Sequence, residues 1–143
     1  MKVHIEQGTP DKASHIASLI MEAMNTDCCQ NFAGPHHTLV DFHQMMERLV
    51  KMEDSQYSYL NTLVASNSEG IITGILVAYD GARLKELRRQ FIKEAIVSFG
   101  IDYSAMDAET EAGEFYLDSL AVSSSFRGKG IAKQLLAAAI EKA

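Results

Sequence analysis

The sequence predicts an α/β domain with a mixed, mostly antiparallel sheet and helices on both faces. Its length of 143 residues suits a single domain, residues 1–143, around one core. Strand-type and helix-type periodicities alternate along the chain, with no internal repeat, low-complexity tract or interdomain linker. Residues 71–79, IITGILVAY, form an almost wholly apolar run. Such a run is expected of a central strand covered on both faces.

Residues 2–7 alternate polar and apolar, with Val3 and Ile5 on one face, which predicts the first strand. Thr9, Pro10 and Asp11 mark a helix start: Thr as N-cap, Pro at the first helical position, Asp near the positive end of the dipole. That helix is expected to reach about Asn25 and to bury Ile16, Leu19, Ile20, Ala23 and Met24. Residues 27–37 lack periodicity and contain Gly34 and Pro35, so they read as a loop. Thr38 with Asp41 three residues later resembles a capping box. The helix it opens carries Leu39, Phe42, Met46 and Leu49 at helical spacing.

Residues 60–66 read as a strand, Asn67 to Gly70 as a turn, and the apolar run as the second arm of an antiparallel hairpin that Asp80 and Gly81 end. Residues 82–99 form an amphipathic pattern, with Leu84, Leu87, Phe91, Ala95 and Phe99 on one side and Arg83, Lys85, Arg88, Arg89 and Lys93 making the exposed side basic. The charge then reverses. Asp102, Asp107, Glu109, Glu111 and Glu114 follow with no Lys or Arg between them, either as a solvated loop or as an acidic loop facing a substrate. Residues 115–122 predict a strand and residues 123–127 a tight connection; from Gly128 the chain turns helical, with Ile131, Leu135 and Ala138 inward.

Composition narrows the function. Apolar residues make up 47% and charged residues 22%, ordinary for a soluble globular chain. With 13 basic and 19 acidic side chains the formal charge is −6, which disfavours nucleic acid as a partner and mildly favours cationic substrates such as amines. The two cysteines, Cys28 and Cys29, are adjacent and provide no disulfide framework. They make no metal-ligand spacing with His4, His15 and His43, so no metal is expected. Met21, Met24, Met45, Met46 and Met52 read as core fillers. The N-terminus has no apolar run of signal-peptide length, and no stretch approaches the roughly 20 apolar residues that span a bilayer, so a cytoplasmic protein with no membrane partner is expected. A homodimer is compatible with all of this.

The informative stretch is LAVSSSFRGKGIA, residues 120–132. A strand enters a short loop, and glycines open a helix. Glycine lets the chain bend and lets a ligand approach bare backbone. The first helical turn offers unpaired N–H groups and partial positive charge, a site for phosphate or diphosphate. Arg127 and Lys129 add charge. A Walker A loop needs Ser or Thr after the lysine, but Gly130 follows Lys129; a dinucleotide fingerprint needs a third glycine where Lys133 stands.

The order Arg127-x-x-Gly130-x-Ala132 is similar to the acetyl-CoA signature of the GNAT superfamily of N-acetyltransferases, Gln/Arg-x-x-Gly-x-Gly/Ala. Leu120, Ala121 and Val122 before it, and Ile131 with Leu135 and Leu136 after it, add to the likeness. So does the element order, strand, two helices, two antiparallel strands, signature strand and helix, apart from the extra helix at residues 82–99. The resemblance implies a GNAT-like acyl-CoA N-acyltransferase fold and acetyl-CoA as cosubstrate. It places the diphosphate on the amides of Arg127, Gly128, Lys129, Gly130, Ile131 and Ala132. The pantetheine arm is implied to pair with the backbone of Leu120, Ala121 and Val122 as an added strand. The family continues with a further strand, a helix carrying a tyrosine acid, and a hairpin, so the chain is expected to be incomplete at its C-terminus.

The implied reaction is direct attack of a primary amine on the acetyl thioester. An alkyl amine is mostly protonated at neutral pH, so a general base is useful. Asp118, a carboxylate in the run Tyr116-Leu117-Asp118-Ser119-Leu120, is the first candidate and Glu114 at the strand entry the second. Asp118 also reads as a structural carboxylate paired with an Arg or a backbone N–H, or as one facing solvent. A backbone N–H of the same strand is a candidate oxyanion donor. His36 and His37 lie in the loop that often borders the acceptor site in this family. Two other readings stay open: a non-catalytic acyl-CoA-binding or regulatory module of the same fold, and an unrelated phosphate-binding α/β protein.

Overall fold

The computed structural model describes residues 2–105 and 115–142. In chain order these form β1 (His4–Gln7), α1 (Ala13–Met24), α2 (Thr26–Ala33), α3 (Leu39–Lys51), β2 (Thr62–Ser66), β3 (Ile72–Asp80), α4 (Leu84–Phe99), β4 (Phe115–Val122) and α5 (Ile131–Lys142). The strands make one sheet in the order β1-β2-β3-β4. Every pairing among these described strands is antiparallel, so the mixed character expected of the sheet is not seen in them.

The hairpin β2–β3 follows from Asn67, whose Oδ1 accepts from the amides of Glu69 and Ile71 at 2.9 and 3.0 Å, and from Gly70 at φ 79°. The apolar run behaves as expected, for every residue of β3 but the last is buried. Ile75, Val77 and Tyr79 join a large core with α1, α3 and α4 on one face. Leu76 and Ala78 meet Ile131, Leu135 and Ala139 of α5 on the other. Helices therefore cover both faces. Gly74 lets β4 close up: a Cβ there would sit 2.9 Å from the Ala121 carbonyl oxygen. The capping box on α3 is present, with the Asp41 amide donating to Thr38 Oγ1 at 3.2 Å and the Thr38 amide to Asp41 Oδ2 at 2.9 Å.

Several local expectations are corrected. The stretch 27–37 is not all loop, because residues 26–33 form α2. Asn25 makes this happen. At φ 71° its amide closes α1 on the Met21 carbonyl at 2.9 Å, while its Oδ1 accepts from the Cys28 amide at 2.9 Å and opens α2. Thr9 and Pro10 begin a 3-10 turn, Pro10–Lys12, and α1 proper starts at Ala13. Ala23 is exposed, and Ala13 and Ala17 take its place on the buried stripe. Arg88 is buried, not part of the basic exposed side: it stands four residues after Leu84 and three before Phe91, on the inward stripe of α4. On α5, Ala139 rather than Ala138 is buried.

Candidate functional site

The β4–α5 connection is built by two glycines. Gly128 and Gly130 both have φ 78°, the left-handed region that suits glycine, and nothing lies within 4 Å of where a Cβ would be at either. The loop is tied down at its start: the Ser123 amide donates to the Thr73 carbonyl at 2.8 Å, and Arg127 Nε donates back to the Val122 carbonyl at 3.1 Å. Helical bonding in α5 starts with the Gln134 amide on the Gly130 carbonyl at 3.2 Å, so the amides of Ile131, Ala132 and Lys133 precede the first helical bond. Gln134 also accepts from the Val3 amide at 3.2 Å, which anchors the helix start to the residue just before β1.

Beside this loop lies a groove of about 510 Å³. Seven of the residues singled out in the sequence line it: Leu120, Val122, Arg127, Gly128, Gly130, Ile131 and Ala132. Phe126 and Lys133 join them unannounced. Ala121 turns its side chain into the large core, leaving its backbone on β4. Lys129 is exposed and does not line the groove. Among the described strands β4 is at the edge of the sheet, and Leu117 and Leu120 are 46% and 36% exposed along it. An open strand edge, an apolar floor and a helix start flanked by Arg127 and Lys133 form a site able to take an extended amide chain ending in a diphosphate.

The second cluster lies at a break in β4. Val77 pairs with Ser119 and Ala78 with Leu117, so Asp118 is the extra residue of a β-bulge. Three side chains donate to its half-buried carboxylate. Tyr79 Oη donates to Oδ2 at 2.7 Å, Gln56 Nε2 donates to the same oxygen at 3.1 Å, and Ser119 Oγ donates to Oδ1 at 3.3 Å. Gln56 and Tyr79 were not singled out in the sequence. Gln56 falls in the aperiodic stretch after α3, and Tyr79 reads as one more apolar residue of β3.

The other candidates divide. Glu114, with the acidic run at 107–111, lies outside the described residues. The ring of His37 packs 5.2 Å from that of Phe99, and its Nδ1 is 3.6 Å from Asp41 Oδ2; His36 is exposed. Neither histidine lines the β4–α5 groove. Burial, and then the neighbouring Cys28, push the Cys29 thiol up to about 11, and its Sγ donates to the Met21 carbonyl at 3.7 Å, the behaviour of a core residue and not of a nucleophile. Among the described residues no group of three or more His, Cys, Asp or Glu could hold a metal ion, and no helix is long and apolar enough to cross a membrane.

No curated protein matches the sequence. Among solved structures, the fold is similar to that of an N-acetyltransferase from Staphylococcus aureus Mu50, with a TM-score of 0.79 and 20% identity over 98% of this chain and 76% of that one. A structure described as an acetyltransferase also has a TM-score of 0.79, with 24% identity over 98% of this chain and 74% of that one. A Corynebacterium glutamicum ATCC 13032 protein, described as histone acetyltransferase HPA2 and related acetyltransferase, has a TM-score of 0.69 and 22% identity over 99% of this chain and 72% of that one. Residues 41–143 match the sequence model of the acetyltransferase (GNAT) family. That match takes in β2, β3, β4, the glycine loop and α5, and the chain belongs to the GNAT family of acetyltransferases.

Proposed function

We propose that the chain transfers acetyl from acetyl-CoA to a primary amine by direct attack on the thioester. Family membership supports acetyl transfer in general. The observation that carries the finer reading is the groove between the β4 edge and the pair of left-handed glycines that open α5. In this reading the amides of Gly128, Gly130, Ile131 and Ala132 take the diphosphate, aided by Arg127, Lys129 and Lys133. The backbone of Leu120, Ala121 and Val122 pairs with the pantetheine arm. That register points the thioester toward the middle of β4, where the bulge turns Asp118 aside from the ladder. Asp118 then takes a proton from the acceptor ammonium, directly or through water, so that the amine's lone pair can attack. Exposed His36 is the proposed loop contact for the acceptor.

Two measurements test this. Calorimetry with coenzyme A, ATP and NAD should show binding of coenzyme A alone. Thiol release from acetyl-CoA should then rise with at least one member of a panel comprising an alkyl amine, a polyamine and a lysine-containing peptide. Tight coenzyme A binding without release across that panel would mark a non-catalytic acyl-CoA-binding module. Absence of coenzyme A binding by folded protein would sink the assignment.

A further inference from the structure

A residue in a β-bulge has lost its cross-strand partner, so the pleat no longer sets where its side chain points. At Asp118 two other parts of the chain reach the carboxylate. Tyr79 reaches its Oδ2 from β3, and Gln56 reaches the same oxygen from the segment between α3 and β2. The Gln56 side chain is half spent in doing so. The residue is only 7% exposed, and its Oε1 is buried with no hydrogen-bond partner. A buried carbonyl left unpaired is unfavourable. Turning the amide over would set Oε1 against the Asp118 oxygen, acceptor facing acceptor, so the bond to Asp118 dictates the orientation and leaves the carbonyl stranded. An apolar side chain of similar length would remove that penalty while taking one donor from Asp118, two opposed effects on the fold.

We infer that Gln56 is a positioning residue, whose amide N–H, with the Tyr79 hydroxyl, aims the Asp118 carboxylate at the acceptor amine. This rests on the assignment of Asp118 as base in the proposed acetyl transfer. Its effect runs through orientation of a reacting group, where small misplacements are expensive in rate.

The test is Gln56→Leu, assayed with acetyl-CoA and the panel amine that turns over best. The expected result is a fall in kcat of about ten-fold or more, with the KM for acetyl-CoA and the Kd for coenzyme A within about two-fold of the parent. The melting temperature should stay within about 3 °C of the parent or rise. In an Asp118→Asn background the same change should alter kcat by less than about two-fold, because a residue acting only through Asp118 has nothing left to aim. Tyr79→Phe should repeat the pattern. A melting temperature lowered by more than about 3 °C would make Gln56 a fold-supporting residue and overturn the inference; that readout needs no turnover. So would an unchanged kcat, or a full additional loss in the Asp118→Asn background. If Asp118→Asn itself leaves kcat unchanged, the assignment of the base fails, and this inference with it; a failure confined to the Gln56 variants leaves the acetyl-transfer reading standing.

Discussion

The groove at the start of α5 and the cluster around Asp118 are built on opposite plans. The groove is local. Leu120, Val122, Arg127, Gly128, Gly130 and Ile131 fall within a dozen consecutive residues, and its functional atoms are backbone amides exposed by two glycines at φ 78°. The Asp118 cluster is assembled from three distant segments: Gln56 after α3, Tyr79 in β3, and Asp118 with Ser119 in β4. Its functional atoms belong to side chains, and Gln56 and Tyr79 are both buried. A backbone site of the first kind tolerates almost any side chain and reads as a pattern of glycines. A side-chain site of the second kind exists only once the sheet and α3 are in place.

This difference predicts that the two regions can be broken independently. Asp118→Asn should have the largest effect: kcat down by about 100-fold, the scale of a lost general base, with the Kd for coenzyme A within about two-fold in calorimetry. A matched loss of affinity would mean that Asp118 supports the groove. Gly130→Ala should do the reverse. An L-residue at φ 78° is strained by about 1–2 kcal/mol, and no neighbour within 4 Å would stop the loop from shifting to relieve it. The Kd for coenzyme A should rise about ten-fold, while kcat at saturating acetyl-CoA stays within about two-fold. If Gly130→Ala binds coenzyme A normally, the left-handed backbone is not what shapes the site.

The same contrast explains what the sequence made legible. Period-2 and period-3.6 patterns placed β1, α3, α4 and α5, and an unbroken apolar run placed β3, whose two faces are both covered. The glycine loop was legible because glycine's conformational freedom is a property of the residue itself. The misses arose where tertiary position overrode a local rule. Arg88 looked like surface charge until the packing of α4 put its stripe inward. The helix α2 hid behind Asn25, a single residue that stops one helix and caps the next at a positive φ no periodicity reveals. The bulge at Asp118 and its donors Gln56 and Tyr79 depend on the β3–β4 register, which no short window contains.

The smallest predicted effect belongs to a region outside both sites, and it works as a control for them. Thr38 and Asp41 form the reciprocal cap of α3, away from the groove. Thr38→Ala should lower unfolding stability by about 1 kcal/mol in urea, leaving coenzyme A binding and kcat unchanged. The two cap bonds also differ in how they answer to acid. The Thr38 amide, above all, holds the Asp41 carboxyl below its ordinary value of 3.8, with smaller help from the Thr38 side chain and His37. A carboxyl depressed in the folded state stabilises fully above its unfolded value, and that stability is lost as pH falls through the folded value. The amide donor survives in Thr38→Ala and only the smaller side-chain contribution is lost, so that variant should decline slightly less steeply than the parent as pH drops from 5 toward 3, whereas Asp41→Asn should show a much shallower decline. Equal slopes for parent and Asp41→Asn would place the acid sensitivity elsewhere, for instance at Asp102, whose carboxyl is likewise held down by the Ser104 amide.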